Sequence, residues 1–307
     1  MAVSTKSKWP DKFKHLGLEE KSAWMLLGVS FWTRTTKSIL LPSTSSHHQL
    51  NFWNLVKAES VQQRELGLVL AAMITAIWCI TLVGCLSLNL ESLRLATLIP
   101  LVLLRTFVQT GLFIIGHDAM HGTLVPKSSK LNHGIGTAAL ILYAGLSYHR
   151  CKSNHNLHHL KAETERDPDY QSHPDQSALR WFWDFMSRYI NAGPLMILVT
   201  QWMTLIVLIP STNQQAVLSV AVFCILPLIL SALQLFFVGT WFPHHLNKNN
   251  PNRQTPRSLT IHPWLSFAAC YHFGYHREHH LSPSTPWFDL PRLRQRSPLS
   301  QTAWSSG

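Results

Sequence analysis

Four long apolar runs constrain what this chain can fold into more than any other feature. A helix needs about 20 apolar residues to cross the ~30 Å hydrocarbon core of a bilayer, and each run reaches that length. Charged residues make up 13% of the 307-residue chain, about half of the ~25% that is usual in soluble domains. We therefore predict an all-α integral membrane protein whose four transmembrane helices span residues 66–88, 95–115, 190–210 and 216–242.

Lysine and arginine are distributed unevenly between the two sides that four crossings create. Both termini then lie on one side, together with residues 117–193, and this side holds 24 of the 26 basic residues. Cytoplasmic segments of membrane proteins carry such an excess of Lys and Arg. The pattern predicts a multi-pass protein with both termini on the cytoplasmic side. It also accounts for the net charge of +11 without a nucleic-acid partner.

Histidine is unusually frequent, with 18 residues, and three clusters with helical spacing lie on the predicted cytoplasmic side. Residues three or four apart share one face of a helix, and neutral imidazole is the commonest metal ligand among side chains. Eight imidazoles are too many for one ion, so we predict a histidine-rich cap that holds two ions with about four ligands each. The candidate ligands are His117 and His121 in HDAMH, His155, His158 and His159 in HNLHH, and His276, His279 and His280 in HREHH.

The residue types in these clusters limit the metal without identifying it. Imidazole nitrogen suits Zn, Cu, Fe and Ni, and no Asp or Glu occurs at a regular ligand spacing that would suit Mg or Ca. The five cysteines include no CxxC pair, which disfavours a zinc–cysteine site and a disulfide scaffold. Iron fits a redox role beside a membrane, but spacing alone leaves zinc and copper open.

The motifs around the histidines extend well beyond the candidate ligands. HDAMH, HNLHH and HREHH resemble the three histidine boxes of the integral-membrane fatty-acid desaturase and hydroxylase superfamily. Longer segments resemble the bacterial-type β-carotene ketolases over Leu66–Leu293. These segments are TGLFIIGHDAMHGTLVPKSSKLNH, ERDPD, FVGTWFPHH, and CYHFGYHREHH followed by PWFDLP. The resemblance implies a non-haem diiron centre that uses O₂ as co-substrate, with His244 in FVGTWFPHH as a ninth ligand.

The same resemblance implies a reaction and its partners. Members of the ketolase family hydroxylate C4 of a β-ionone ring twice, and the resulting diol loses water to give a ketone. β-Carotene or a related carotenoid would reach the site from the membrane lipid. Electrons would come from an external, ferredoxin-like donor, since the chain has no GxGxxG and no haem or flavin motif. An acidic donor of this kind would be attracted by a basic cytoplasmic face.

Further polar residues near the boxes have roles that the sequence leaves open. If Tyr271–His280 forms one helix, His272 joins the face of the third box, as a ligand or as a support. We interpret His149 as polar surface and His133 as a structural residue or a support of a metal ligand, and Arg277 stands where the resembled family has Trp. Carboxylates commonly orient metal-bound imidazoles. The candidates for this role are Asp118, Asp167, Asp169 and Glu278.

The remaining segments carry less information. Residues 1–63 form an N-terminal arm ahead of a desaturase-like domain of residues 64–307. The apolar stretch Trp24–Trp32 is too short to span a bilayer and favours an interfacial arm. Arg105 lies inside a predicted span, where it either extends to the interface or faces the interior of the helix bundle.

Other classes of protein fit parts of this pattern. A carotenoid 3-hydroxylase or an acyl-lipid desaturase would share the three boxes, and only FVGTWFPHH and CYHFGYH favour a ketolase. A non-catalytic membrane metal-binding protein is a more distant alternative, because transporters hold their ligands near the bilayer midplane. The histidines here lie beyond the predicted helix ends. We therefore expect a β-carotene ketolase that forms echinenone and canthaxanthin by introducing keto groups at C4 and C4′.

Overall fold

The computed structural model describes residues 46–170, 176–245 and 256–296, with side chains from residue 65 onward. Contacts divide the chain into units of residues 1–58 and 59–307, and all side chains discussed below belong to the second unit. No strand occurs among the described residues. The helices are α1 Ser46–Leu86, α2 Leu95–His121, α3 Ser129–Ala144, α4 Tyr148–Lys161, α5 Ala178–Tyr189, α6 Ala192–Leu208, α7 Asn213–His245, α8 Pro263–Cys270, α9 His276–Leu281 and α10 Leu290–Arg296.

The predicted N-terminal arm overlaps the first of these helices. α1 begins at Ser46 and continues without a break past residue 63, so the arm and the first apolar run share one helix. The stretch Trp24–Trp32 lies outside the described residues. Residue 63, the predicted boundary between the arm and the desaturase-like domain, lies within this helix.

Three helices are long and apolar enough to cross a membrane: Glu65–Leu86 of α1, the whole of α2, and the whole of α7. They match three of the four predicted spans in position, but two of them are longer than predicted. α2 ends at His121, where Gly122 adopts the left-handed conformation with a φ of 74°. α7 continues to His245. The histidines at these helix ends are thus held by the same helices that form the apolar spans.

The third predicted span, residues 190–210, is not a simple helix. α5 and α6 meet at an angle of 88°, and α6 alone has 17 residues. The local sequence explains the break, since the Asn191 side chain accepts a hydrogen bond from the Gly193 N–H at 3.2 Å and caps a new helix. Pro194 in the first turn cannot donate a backbone hydrogen bond, so a helix can start there but not run through. The described fold holds three spans, or four if this bent pair forms one.

α2 is the central helix of the described unit and packs against α3 and α7. Small side chains allow the close approach, because a Cβ on Gly116 would lie 2.6 Å from Leu140 Cδ2. Polar groups also join α2 to α7, where Thr110 Oγ1 lies 2.8 Å from Ser231 Oγ. The core around α2 is apolar, with Leu112 and Leu140 fully buried.

Arg105 on α2 faces the bundle interior and is 1% exposed, so it does not extend to the interface. Its Nε donates to the Phe223 carbonyl at 3.2 Å, and its Nη1 donates to the Trp78 carbonyl at 2.9 Å. Phe223 belongs to a π-helical segment of α7, Ala221–Ile225. Pro227, four residues further on, has no N–H to offer the Phe223 carbonyl. Arg105 thus supplies a donor in place of the N–H that Pro227 does not have.

Candidate metal centre

The first histidine box occupies the last two turns of α2. His117 and His121 are one turn apart, with ring centroids separated by 4.9 Å. The carbonyl of Ala119 between them accepts from Asn132 Nδ2 at 2.6 Å and from the Tyr148 hydroxyl at 2.7 Å. Carbonyls in the last turn of a helix lack partners within the helix. Side chains of α3 and α4 supply them here and fix the end of α2 in place.

The second box lies on α4, whose first turn is capped by Ser147 through a hydrogen bond from the Arg150 N–H. His155 and His158 are buried, and His159 is half-buried. The three side chains point toward the end of α2 and toward α9, because rings of both helices lie next to them. His155 is 4.6 Å from His117 between ring centroids, and His158 is 4.7 Å from His280.

The third box departs from the predicted geometry. Tyr271–His280 is not one helix, because Tyr271 and His272 have positive φ angles of 47° and 62° and form a turn. α9 begins only at His276. His272 therefore does not share the face of His276, His279 and His280. It stacks on Tyr275 with ring centroids 5.7 Å apart.

Four imidazoles from three helices form a first group, in which one nitrogen from each ring lies within 4.8 Å of the others. Nε2 of His121 is 2.7 Å from Nε2 of His155. The rings of His117 and His279 lie 4.6 Å apart between centroids. The members of the first group are His117, His121, His155 and His279.

A second group consists of His158, His276 and His280, with ligand atoms again within 4.8 Å of one another. Nε2 of His280 lies 2.9 Å from that of His158 and 3.1 Å from that of His276. His244, at the end of α7, has its ring centroid 5.3 Å from those of His158 and His276. The second group therefore has a fourth imidazole beside it, on a different helix from the other three.

The nitrogen atoms are spaced as ligands of a metal ion would be. Two nitrogens at right angles around an ion, each about 2.0–2.1 Å from it, lie roughly 3 Å apart. The Nε2 separations in both groups match this value. His117 has two buried ring nitrogens without a hydrogen-bond partner, and Nε2 of His244 is buried and unpartnered as well. Unpaired buried polar atoms are costly, and a bound metal would use their lone pairs, so the residues fit a two-metal centre.

His159 lies between the two groups and belongs to neither. Its Nε2 is 2.9 Å from Nε2 of His279 in the first group, and its ring centroid is 4.4 Å from that of His280 in the second. Burial, together with the neighbouring imidazoles, lowers the pKa of His159 to about 3. The neutral His159 ring has one nitrogen lone pair, which can bind a metal ion in either group.

Burial keeps most of the other imidazoles neutral. It lowers the pKa of His155 and His279 well below the ordinary histidine value, and the neighbouring rings lower it further. The pKa values of His276 and His280 are lowered for the same reasons. Neutral imidazole is the form that binds metals. The cluster is therefore prepared for metal binding at neutral pH.

Carboxylates hold two imidazoles near the second group. Asp167 Oδ1 is 2.8 Å from Nδ1 of His158, and the Asp169 carboxylate lies 3.9 Å from the same nitrogen. Burial alone would lower the pKa of His158, but the hydrogen bond to Asp167 and the charge of Asp169 raise it instead. Glu163 Oε1 is 2.8 Å from Nδ1 of His244. Glu163 was not among the sequence candidates, although it follows the second box by four residues.

The other candidate carboxylates lie elsewhere. Asp118 Oδ1 is 3.6 Å from His117 Nδ1, too far for a hydrogen bond, and its Oδ2 accepts from the Trp287 N–H at 3.3 Å. Glu278 pairs with Ser258 and Arg294 rather than with an imidazole of either group.

Three other residues discussed from the sequence also lie outside the two groups. His133 Nε2 is 3.0 Å from Lys152 Nζ, and His149 is exposed on α4. Arg277 is half-buried, and its backbone N–H donates to Ser258 Oγ.

An aromatic layer separates the first group from the apolar part of the bundle. The Phe273 ring lies 4.8 Å from that of His117 and 6.3 Å from that of Phe113, and Phe113 in turn packs on Tyr143. Beyond Tyr143 lies a cavity of about 310 Å³, whose lining includes Arg105 and residues of α6. The cavity therefore lies on the far side of this layer from the centre, and none of its lining residues belongs to either imidazole group.

Comparison with protein families gives one match that covers most of this unit. A family model described as fatty acid desaturase matches residues 93–212 and 188–301, which together include all three histidine boxes. No solved structure gave a significant match to this chain.

Several curated proteins are also similar in sequence. A "Beta-carotene ketolase" of Paracoccus sp. (strain PC1) is 40% identical over 195 residues, which are 62% of this chain and 76% of that protein. A "Zeaxanthin 4-ketolase" of Chlamydomonas reinhardtii is 34% identical over 225 residues, covering 71% of this chain and 49% of that protein. A "Beta-carotene 4-ketolase" of Protosiphon botryoides is 36% identical over 196 residues, covering 62% and 49%.

Proposed function

This chain belongs to the fatty acid desaturase family, and from that premise we propose that it is a β-carotene ketolase. The observation that carries the proposal is the convergence of two imidazole groups where α2, α4, α7 and α9 meet. The names of the similar proteins, all ketolases of carotenoids, favour this chemistry over other reactions of the family. The enzyme is an oxidoreductase whose substrate is β-carotene or a closely related carotenoid.

The proposed topology has four crossings, with the bent pair α5–α6 as the third. The excess of Lys and Arg in the segments that carry the boxes supports a cytoplasmic position for the metal centre and for both termini. The helices α2 and α7, which are long enough to cross, support a centre just beyond the apolar region, since His121 and His245 are their last residues. This position gives the site access to lipid on one side and water-soluble partners on the other.

The proposed cofactor is a pair of iron ions, held by His117, His121, His155 and His279 at one position and by His158, His244, His276 and His280 at the other. His159, between the groups, is a further proposed ligand. Bound iron would supply the O₂-dependent hydroxylation of a C–H bond, which imidazoles alone cannot perform. The protein's own contribution is to orient these rings, keep them neutral and hold the centre in a buried, apolar surrounding.

The proposed substrate reaches the centre from the bilayer. The aromatic layer of Phe113 and Phe273 supports this route, because it offers apolar surface to a hydrocarbon ring next to the first group. Two hydroxylations at C4 followed by loss of water give the ketone, and each hydroxylation requires two electrons. We propose that an external, ferredoxin-like protein delivers them to the basic face.

The experiment that tests the function is carotenoid analysis of cells that accumulate β-carotene and express this chain. We predict echinenone and canthaxanthin with the unchanged chain, and a loss of at least 100-fold with His276→Ala, because removal of a buried ligand disrupts an ion position. His149→Ala is the matched control, since His149 is an exposed histidine outside both groups.

Other products would contradict the ketolase proposal and indicate a different reaction. Only 3-hydroxylated carotenoids would identify a carotenoid 3-hydroxylase. Unchanged β-carotene with iron-loaded, membrane-inserted protein would contradict a carotenoid substrate and favour an acyl-lipid desaturase. Cells that accumulate zeaxanthin extend the test, since a 4-keto product there would mean that a hydroxylated ring is also accepted.

A further inference from the structure

The loop that follows the second box brings two carboxylates to two different helices. Glu163 reaches His244 on α7, and Asp167 reaches His158 on α4, each at 2.8 Å from an Nδ1 atom. The side chains of the Glu163–His244 pair are 4% and 1% exposed. A buried carboxylate that accepts from Nδ1–H leaves the lone pair on Nε2, and Nε2 of His244 is the atom without a partner.

The two carboxylates are linked to each other through the backbone. The Glu163 N–H donates to Asp167 Oδ2 at 3.3 Å, while Asp167 Oδ1 also accepts from the Asp169 N–H at 2.8 Å. Glu163 has a φ of 64°, in the left-handed region that residues with a Cβ rarely adopt. Local backbone strain of this kind persists where surrounding contacts over-determine it.

The first group has no such support within the described part of the chain. Its nearest carboxylate oxygen is that of Asp118, 3.6 Å from His117 Nδ1. Two of the four imidazoles around the second group are therefore oriented by buried carboxylates, and none of the four in the first group is. A carboxylate partner fixes the tautomer and ring orientation of a ligating histidine and raises its basicity.

We infer that Glu163 is a positioning residue for His244, and that Glu163 and Asp167 together make the second group the tighter of the two iron positions. The inference rests on the two-iron centre of the proposed function. It assigns a role to a residue outside the histidine boxes, and it makes the two ions unequal although both are held by histidine.

The test measures iron retention rather than turnover. The full-length protein and its variants are purified in detergent, loaded with ⁵⁷Fe(II) under anaerobic conditions, and titrated with a ferrous chelator. We expect the unchanged protein to release its two irons in two steps. In Glu163→Ala, the second iron should be released at a chelator concentration about 10–100-fold lower than in the unchanged protein. In Mössbauer spectra, the signal of the iron that is retained longer should change, while the other signal stays the same.

Two further variants keep the test falsifiable. Glu163→Gln retains an acceptor for Nδ1–H and loses only the charge, so an intermediate shift is expected, and this variant replaces Glu163→Ala if the latter fails to fold. Glu165→Ala is the control, an exposed acidic residue in the same loop. Release of both irons in one step from the unchanged protein would overturn the inference, as would equal retention by Glu163→Ala and Glu165→Ala. Two-step release without keto products would leave the inference standing and contradict only the ketolase function.

Discussion

Gly239 lies where α7 passes closest to the segment before the third histidine box. A Cβ on this residue would lie 2.6 Å from Cε1 of Phe273, whereas carbon atoms in contact are about 3.5–4.0 Å apart. Phe273 in turn packs edge-on against the ring of His117. The missing side chain at residue 239 therefore makes room for the aromatic layer that covers the first group.

We predict that Gly239→Ala displaces Phe273 and destabilises the folded protein by roughly 1–3 kcal/mol, as other overpacked core variants do. The measurement is the thermal unfolding midpoint in detergent, with iron content determined on the same sample. Gly84→Ala is the matched control, because a Cβ on this helical glycine meets nothing within 4 Å. Equal unfolding midpoints for Gly239→Ala and Gly84→Ala would show that the close contact with Phe273 does not affect stability.

Residue spacing could predict which histidines gather, but not how they divide between the two groups. Seven of the eight histidines in the boxes fall into the two groups. Within the second box, however, His155 and His158 belong to different groups, because α4 lies between the end of α2 and α9. His272 was misplaced because nothing in the spacing indicates a positive φ at that residue. Glu163 was missed because its contact to His244 joins residues 81 apart.

At the scale of a single element, α7 shows that hydrophobic periodicity does not determine which way each part of a long helix faces. It contains two π-helical segments, Ala221–Ile225 and Phe236–Trp241. An extra residue in a turn rotates everything beyond it by about 100° relative to a regular α-helix. The second segment ends three residues before His244, so a regular 3.6-residue count along the apolar run would misplace the face on which His244 lies. The composition of the apolar run predicts its length, but it does not predict the orientation of the last turn of the helix.

We predict that Arg105→Met destabilises the bundle by about 1–3 kcal/mol, because the Phe223 carbonyl then has neither Arg105 nor a backbone donor at Pro227. Restoring the backbone N–H tests this cause directly. In a Pro227→Ala background, Arg105→Met should cost less, and a double-mutant cycle of thermal unfolding midpoints measures the difference. Arg94→Met is the control at an exposed position. Purely additive effects of the two substitutions would contradict the hypothesis that Arg105 and a backbone N–H at residue 227 act on the same Phe223 carbonyl.

At the scale of the whole molecule, the apolar runs were sufficient to predict three helices and their order. They could not predict the 88° bend between α5 and α6, because a run of apolar residues does not reveal where a cap and a proline restart a helix. The run 216–242 is longer than a crossing needs, and it indicates that the end of α7 extends beyond the bilayer and carries His244. The run of α2 ends at residue 115 and does not by itself indicate the extension to His121. α2 ends only where Gly122 adopts the left-handed conformation, one residue after His121.

The centre joins segments that are otherwise distant in the sequence, so bound iron should stabilise the fold as a whole. We predict that removing iron with a chelator lowers the thermal unfolding midpoint, by the equivalent of about 4 kcal/mol where free iron is a thousand times its dissociation constant. His149→Ala should show the full shift and His276→Ala a much smaller one. The same midpoint with and without iron in the unchanged protein would contradict a metal centre that links these helices.

α9 contributes to both groups, since His279 belongs to the first and His276 and His280 to the second. The first group is complete only when the ribosome has made residue 279 and the second only at residue 280, after α1, α2 and α7 have all been synthesised. Acquisition of the proposed irons would therefore be a late event in the biogenesis of this protein, and it could not guide the insertion of the first helices. A chain truncated before α9 would lack residues of both groups, so the metal content of a preparation would report on the fraction of chains that include α9.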